Sequence, residues 1–480
     1  MLSACKTLIL LTVFLAAGIC CFAQEINFDE AELTTFIESQ RKVSQVPGLV
    51  VGIVRRDKIV YLKGFGTASA DKPVTPQTPF LIGSLSKSFT ALAVMQLVEA
   101  GKLNLDTPVY QYLSWFRLKD IEASRMITVR HLLNQTSGFP TSAGFFTPDA
   151  DLLARTELTH QVGKVYEYCN LNYKILGMLI EAVAGRSYDS YVQEHILDPL
   201  QMRSTFLTYN DVMAHGLAEG HQYIFGLPVS VSTTRYDSSK VAAGYIASSG
   251  EDMCHYLIAH LREGVYDGRS IITPENLTLM HRPPGNIVSR YGMGWIEGDW
   301  NGLKSIRHTG LNEAFSSNMN ILPESGYGIV ILTNVNSFTQ HYNLTDGIVR
   351  RLHNQQTRFY LPYELFQRLL LLVILLFGSG LSIRRMWKWH KLGYPFFITI
   401  RTKVIANLII GIAVSCALLI AIPLLADAPL NALLSYQPDI GYGIISAAIF
   451  FTLAGIIGAF VGAKPSLSAA RVSPAIKAIN

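Results

Sequence analysis

This sequence contains few cysteines and no long run of basic residues. Its 480 residues include six scattered cysteines and no C-x-x-C pair, so we expect neither a disulfide framework nor a cysteine metal site. The net charge of +5 is small for this length, and no long basic run with interleaved aromatics occurs. Nucleic acid is therefore not an expected partner, and we predict no metal and no cofactor.

Charge is also scarce near both ends of the chain, where apolar stretches take its place. Residues 1–23 contain one lysine, an apolar run and then small residues, which is typical of a secretory signal peptide cut after Ala23. An uncleaved anchor helix is the alternative. Further apolar stretches at about residues 363–383, 404–426 and 440–463 approach the length of about 20 residues that crosses a bilayer. We therefore predict a signal peptide (1–23), an exported domain (24–355) and a membrane domain (356–480) with three transmembrane helices.

The flanking charges predict an orientation for these stretches. Residues 384–403 contain six lysines or arginines and no acid, whereas residues 427–439 contain two aspartates and no base. By the positive-inside rule the first connection and the C-terminus face the cytoplasm, and the domain 24–355 lies outside. We expect Arg368, which interrupts the first stretch, to reach the outer headgroups. The spans lack acids and lysines at their centres, which favours anchoring to membrane lipid over transport.

Strand and helix patterns alternate between these ends. Residues 48–68 predict two strands joined by a turn at residues 55–58, and residues 316–334 predict a second strand pair. Residues 84–100 have helical spacing and end at Gly101, and a closing helix is expected at about 339–354. The strands at both ends enclose a mainly helical middle, so we expect one sheet built from distant chain segments.

One short motif places a serine and a lysine at the start of the helix 84–100. Ser84 and Lys87 are three positions apart, so their side chains share one helix face. The chain contains four S-x-x-K copies, and only this one opens a long apolar helix. Lys87 can accept a proton only if burial and neighbouring cations lower its pKa. The pair is either a nucleophile with its base or the polar first turn of an ordinary helix.

Two further motifs lie later in the chain. In Tyr168-x-Asn170 the phenol suits a proton-transfer role and the amide suits a substrate carbonyl, although a helix cap with a packed aromatic fits the pattern equally well. His308-Thr309-Gly310 lies on a predicted strand, where the glycine would let a substrate backbone approach closely. A strand histidine is more often structural.

Together the three motifs resemble those of class C β-lactamases and related penicillin-binding proteins. The flanking stretches "TPFLIGSLSKSFTALAVMQLVEAGKLNLDTPV" and "YGMGW" add to the resemblance, which covers about residues 30–352. It implies an α+β fold, an antiparallel sheet flanked by helices plus a helical subdomain, with the site between them. The implied site consists of the acylated nucleophile Ser84, the proton-transfer groups Lys87 and Tyr168, the substrate-binding residues Asn170, His308, Thr309 and Gly310, and an oxyanion hole from the backbone N–H groups of Ser84 and Leu311.

The function that this resemblance implies is a membrane-anchored, extracytoplasmic serine hydrolase that forms an acyl-enzyme on Ser84. A D-Ala-D-Ala carboxypeptidase-like peptidase or amidase with weak β-lactamase activity is the main expectation. His308 replaces a lysine of true class C enzymes, so its charge depends on pH. The alternatives are an esterase of the same family and a penicillin- or peptidoglycan-binding sensor without turnover. The substrate would be a small molecule or peptide, and the sequence predicts no oligomeric state.

Overall fold

The computed structural model describes residues 28–69, 71–231, 238–337, 340–358, 360–391, 402–425 and 430–461. The predicted signal peptide (1–23) and the C-terminal tail therefore lie outside the described residues. Within them the structure combines a large antiparallel sheet, a helical region inserted between its strands, and a group of C-terminal helices.

A seven-stranded antiparallel sheet positions one side of the site. The strands of the structure are β1 (Gly48–Arg55), β2 (Lys58–Ser69), β3 (Lys72–Pro73), β4 (Phe80–Leu81), β5 (His221–Ile224), β6 (Leu227–Ser230), β7 (Ala247–Ser248), β8 (Val265–Tyr266), β9 (Arg269–Ser270), β10 (Ile296–Trp300), β11 (Leu303–Leu311), β12 (Ser316–Leu322), β13 (Tyr327–Thr333) and β14 (Val335–Asn336). The large sheet has the order β10-β11-β12-β13-β1-β2-β3, so the first strands pair with the last ones. Val51 of β1, for example, lies opposite Ile331 of β13.

The α-helices of the structure lie before, between and after the strands along the chain. They are α1 (Glu30–Val43), α2 (Ser86–Glu99), α3 (Ile121–Met126), α4 (Val129–Leu133), α5 (Ala150–Arg155), α6 (Asn170–Ala184), α7 (Tyr188–Val192), α8 (Tyr209–Ala214), α9 (Gly250–Leu261), α10 (Pro274–His281), α11 (Gln340–Leu352), α12 (Tyr363–Lys391), α13 (Thr402–Leu425), α14 (Leu430–Tyr436) and α15 (Pro438–Val461).

Two hydrophobic cores lie on the two sides of the sheet. The smaller core joins α1 and α11 to one face, where Leu33, Ile37 and Ile348 are fully buried. The larger core joins the opposite face to α9, α2 and the helical region, and the stacked rings of Phe89 and Tyr256 lie in it with centroids 4.1 Å apart. The strand β1 is buried along almost its whole length because both of its faces are covered.

Most of the elements predicted within residues 24–355 are present. The strand pair at 48–68 is confirmed as β1 and β2, with the turn where the polar residues predicted it. The second pair is confirmed as β12 and β13, and the closing helix as α11. The predicted helix 84–100 is α2, preceded by a short 3₁₀ turn at Gly83–Leu85. The α+β part of the predicted fold is thus correct.

The prediction of a three-helix transmembrane region was wrong. Helices α12, α13 and α15 occupy the predicted stretches, but among the residues described no helix has both the length and the apolar character to cross a bilayer. The apolar faces of α13 and α15 pack closely on each other, and the hydroxyl of Ser415 lies 2.6 Å from the carbonyl oxygen of Ala448. Arg368, expected among lipid headgroups, is 3% exposed and forms an ion pair with Asp439. Membrane lipid as a partner stays a prediction from the sequence.

Candidate active site

The 3₁₀ turn that carries Ser84 runs directly beside the end of β11. Gly83 has a φ of +53°, a left-handed conformation that side chains with a Cβ rarely adopt. A Cβ added there would lie 2.5 Å from the backbone nitrogen of Leu311. Glycine is therefore required at this position, and its absence of a side chain lets the two main-chain segments approach each other.

Lys87 lies one turn further, with its amine in contact with Ser84. Its Nζ is 2.9 Å from Ser84 Oγ, 2.7 Å from Asn170 Oδ1 and 2.6 Å from the carbonyl oxygen of Ala243. The side chain is entirely buried, at 0% exposed. The structure therefore brings together the first motif and the asparagine of the second.

Burial lowers the pKa of Lys87 well below its usual range, and the positive charge of Lys174 lowers it further. A neutral amine has two N–H donors and one lone pair. Asn170 Oδ1 and the Ala243 carbonyl can each accept one N–H, which directs the lone pair toward the Ser84 hydroxyl. The three contacts thus suit an uncharged base.

Tyr168 completes the contact on the other side of the hydroxyl. Its Oη donates to Ser84 Oγ at 2.8 Å, and its ring lies 4.9 Å from Lys87 Nζ. Burial raises the pKa of Tyr168 above its usual value, and the hydrogen bond to Ser84 offsets only part of that effect. The resting side chain is consequently a phenol and not a phenolate. Of the two groups that touch Ser84, only the amine has a pKa shifted toward proton acceptance.

The histidine of the third motif is buried near Tyr168, with ring centroids 6.4 Å apart. His308 is 2% exposed, its Nδ1 lies 2.7 Å from the Thr309 carbonyl, and its Nε2 lies 3.3 Å from the phenol of Tyr291. Because the carbonyl can only accept, Nδ1 carries the proton and Nε2 is an acceptor. Burial and then the charge of Lys87 lower the pKa of His308 to about 3, so the ring is neutral at physiological pH. It does not line the pocket at Ser84.

The glycine of the third motif has a different use from the expected one. A Cβ at Gly310 would lie 2.0 Å from the carbonyl oxygen of Ile82, the residue before the 3₁₀ turn. This glycine therefore admits the protein's own chain beside β11, and its expected contact with a substrate stays a prediction. Thr309 lies in the ladder of β11, opposite Asn318 of β12.

A pocket of about 150 Å³ opens over Ser84. Asn170 and Leu311 line it, as do several residues that the sequence motifs did not indicate. Lys174 follows Asn170 by one helical turn, and its amine donates to the carbonyl oxygens of Gly144 and Phe146. The other unanticipated lining residues are Gly144, Phe145, Lys240, Ala243, Gly244, Tyr245 and Glu313, together with Ala432, Ser435 and Tyr436 of the C-terminal helices.

Tyr245 and Glu313 form a fixed polar wall of this pocket. The phenol lies 2.8 and 2.7 Å from the two carboxylate oxygens of Glu313. Glu313 follows the third motif by three residues, which is the one signal in the sequence that could have indicated it. Within the residues that the structure describes, no group of three or more His, Cys, Asp or Glu side chains is arranged to hold a metal ion.

Comparison with known proteins identifies the family. A family model described as Beta-lactamase matches residues 33–352, from α1 to the end of α11. This chain belongs to the beta-lactamase family. It is a serine hydrolase-like member related to penicillin-binding proteins, as the three motifs predicted.

Individual relatives agree with this assignment. The protein flp of Staphylococcus aureus (strain MW2) is 31% identical over 324 residues, which cover 65% of this chain and 64% of that protein. Penicillin-binding protein 4 of Amycolatopsis lactamdurans is 29% identical over 329 residues, covering 64% of this chain and 86% of the relative. The match thus spans less than two thirds of the length of flp.

Solved structures give the same fold. The octameric penicillin-binding protein homologue from Pyrococcus abyssi superposes with a TM-score of 0.60 at 28% identity. The superposition covers 72% of this chain and 81% of the homologue. The α+β architecture of this beta-lactamase family member is therefore shared with a penicillin-binding protein homologue.

Proposed function

We propose that this protein hydrolyses acyl compounds through a covalent acyl-enzyme on Ser84. The observation that carries the proposal is the fully buried amine of Lys87, 2.9 Å from the Ser84 hydroxyl. A serine hydroxyl is a weak nucleophile until a nearby base takes its proton. A buried amine with a strongly lowered pKa is such a base at neutral pH.

In the proposed acylation step, Ser84 Oγ attacks the substrate carbonyl carbon while its proton passes to Lys87 Nζ. The carbonyl oxygen becomes an oxyanion, and the backbone N–H groups of Ser84 and Leu311, which both line the pocket, are the proposed donors. The intermediate collapses when the leaving group departs. The leaving atom takes a proton from Tyr168 Oη, and the proton held by Lys87 restores the phenol by way of the site's hydrogen bonds.

Deacylation follows the same route in reverse. A water molecule attacks the acyl carbon, gives one proton to Lys87 and displaces Ser84 Oγ, which recovers a proton from the amine. Each cycle consumes one water and releases one acid and one amine or alcohol. Tyr168 begins and ends each cycle as a neutral phenol, because burial disfavours its anionic form.

Peptides or amides that end in D-amino acids are the proposed substrate class. Two similar proteins are named as a penicillin-binding protein and as a penicillin-binding protein homologue. A volume of about 150 Å³ suits a small group beside the scissile bond. Hydrolysis of β-lactams would be a secondary activity, since these compounds acylate the same serine.

Small esters are the second candidate class. The observation in their favour is that His308 is neutral and lies outside the pocket, so the third motif supplies no cation for a substrate carboxylate. A panel of D-alanyl-D-alanine peptides, p-nitrophenyl esters and nitrocefin ranks the classes by kcat/KM. A higher kcat/KM for the peptides than for the esters supports the first class. A kcat/KM for the esters at least tenfold above that for the peptides selects the second.

Labelling by a fluorescent penicillin tests the nucleophile. Ser84→Ala should abolish both labelling and turnover, whereas Ser39→Ala, in another S-x-x-K copy, should leave both unchanged. Ser39 is exposed on α1, and its hydroxyl donates to the Phe36 carbonyl. Turnover by the Ser84→Ala variant would refute the mechanism. Stable labelling without recovery would indicate a sensor instead of a hydrolase.

We also propose that the hydrolase domain acts outside the cytoplasm. The support is the signal-peptide pattern of residues 1–23, with its single lysine, apolar run and small residues. N-terminal sequencing of the protein isolated from its native cell should give a chain that begins at Gln24. A chain that retains residues 1–23 in full would contradict cleavage at this site.

A further inference from the structure

The pocket over Ser84 is closed in part by residues that lie outside the family match. Ala432, Ser435 and Tyr436 of α14 line it together with Ser84 and Asn170. These three residues are called the C-terminal roof below. They lie more than 75 residues beyond residue 352, where the family model ends. The substrate pocket is therefore made by two parts of the chain.

The C-terminal roof is attached to the polar wall of the pocket. The side-chain amide of Gln222 donates to the carbonyl oxygen of Glu313 at 2.8 Å and to that of Ser435 at 2.5 Å. One side chain of β5 thus connects the polar wall of the pocket to the roof. Burial raises the pKa of Tyr436, and the negative charge of Glu313 adds to this effect, as expected for a phenol that lies near the polar wall.

A buried ionic cluster holds the helices behind the roof. Arg368 of α12 is 3% exposed and Asp439, at the start of α15, is 1% exposed. The guanidinium donates to Asp439 and, at 2.8 Å, to Glu364, and it also donates to the carbonyl oxygen of Tyr223 in β5 at 3.1 Å. The second oxygen of Asp439 accepts the backbone N–H of Phe225 at 3.0 Å.

These contacts determine how the roof is placed. Charged groups lose hydration when they are buried, so they persist only where partners surround them. Here the partners come from α12, α15 and the hairpin of β5 and β6, which fixes the start of α15 against the hydrolase domain. The roof ends two residues before α15 begins, so the same cluster fixes its position.

We propose that the C-terminal roof is a specificity element of the active site, in which the side chain of Tyr436 limits the size of the substrate group over Ser84. The proposal rests on the proposed acyl-enzyme chemistry of Ser84. Arg368 and Asp439 are positioning residues, because they act through the roof and do not line the pocket.

Substrate size is the first test. Tyr436→Ala in the full chain enlarges the pocket, so kcat/KM for a bulky substrate should rise relative to a small one by about tenfold or more. Two matched pairs probe the two sides of the scissile bond: p-nitrophenyl decanoate against p-nitrophenyl acetate, and a D-alanyl-D-tryptophan peptide against its D-alanyl-D-alanine analogue. The matched control is Tyr442→Ala, because Tyr442 is 61% exposed on α15 and lies outside the pocket. A rise in either ratio supports the proposal, and two unchanged ratios overturn it.

A second measurement keeps the test independent of catalysis. Ser435→Cys introduces a thiol into the roof, and its reaction with a maleimide is followed by peptide mapping so that native cysteines do not interfere. Adding Asp439→Ala should speed this labelling by about tenfold or more, because the start of α15, which follows the roof directly, loses its contacts with Arg368 and Phe225; adding Tyr442→Ala should not. Unchanged labelling would refute the placement of the roof. If neither penicillin labelling nor turnover occurs in the unmodified protein, the proposed function fails, and this measurement still decides whether the roof covers the site.

Discussion

Replacement of Lys87 by methionine tests the proton acceptor directly. Methionine keeps the length and apolar stem of the side chain and removes the amine that contacts Ser84 Oγ at 2.9 Å. A general base typically contributes 10²- to 10⁴-fold to a rate, which corresponds to about 3–5.5 kcal/mol in the activation barrier. We expect the acylation rate constant of Lys87→Met to fall by that factor.

The same substitution also has a calculable effect on stability. Asn170 Oδ1 and the Ala243 carbonyl lose the donor that lies 2.7 and 2.6 Å away. A buried acceptor left without a partner costs about 1–3 kcal/mol. Methionine removes the cost of burying a polar amine, which offsets part of this loss. The free energy of unfolding should therefore fall, while the fold persists.

The assay is a single-turnover measurement of acylation by a fluorescent penicillin, with circular dichroism to establish folding. Lys42→Met is the matched control, because Lys42 belongs to another S-x-x-K copy and its side chain, which pairs with Glu38, is 68% exposed. The control should acylate at the unmodified rate, since exposed pairs contribute little. If folded Lys87→Met protein has an acylation rate constant within about threefold of that of the unmodified protein, Lys87 is not the proton acceptor.

Three further substitutions separate the remaining roles. Tyr168→Phe removes the phenol 2.8 Å from Ser84 Oγ, which is the proposed proton donor to the leaving atom, and should slow acylation about 10²-fold or more; an unchanged rate would contradict that role. His308→Gln should leave the acid limb of the kcat/KM profile at the same pH, because the pKa of His308 is already lowered to about 3 and the ring is neutral above that; a displaced limb would show that its charge matters. Gly83→Ala should lower Tm and acylation together, since a left-handed alanine costs about 1–2 kcal/mol and its Cβ would meet Leu311; a variant with unchanged acylation and Tm would contradict this account of the turn.

The contact between Ser84 and Lys87 was predictable from the sequence because the two residues lie one helical turn apart. The spacing of Ser84 and Lys87 on α2 determines that their side chains share a face. Tyr168 comes from a segment 84 residues further along the chain. No local rule relates such distant positions, and only the family resemblance joined them in the sequence analysis.

The remaining site residues could not be foreseen for the same reason. Tyr291 contacts His308 and Lys174 lowers the pKa of Lys87, yet each acts through a tertiary contact that has no short motif. His308 was expected to bind substrate, but the strand places it behind Tyr168, with ring centroids 6.4 Å apart. Which face of a strand meets the substrate depends on the packing of the helical region.

The C-terminal helices show what amino-acid composition alone does not predict, namely the neighbour of an apolar stretch. A long apolar stretch indicates a surface that leaves water, but it does not state whether the neighbour is lipid or protein. Here α13 packs on α15, and the arginine that interrupts α12 pairs with Asp439, about 70 residues later. Arg368 within one apolar stretch and Asp439 at the edge of another were the sequence signal for packing against protein, because buried charges require partners.

The protonation state of Lys87 in the resting protein is the quantity on which the account depends most. It can be measured by NMR titration of the full chain with ¹³C-labelled lysine, with the Lys87→Met variant used to assign the signal. Because burial lowers the pKa of Lys87 well below the usual value, we expect its resonance to have the neutral-amine position at pH 7 and to titrate only at lower pH. Titration of this resonance near about 10.4, with the exposed lysines, would contradict the account.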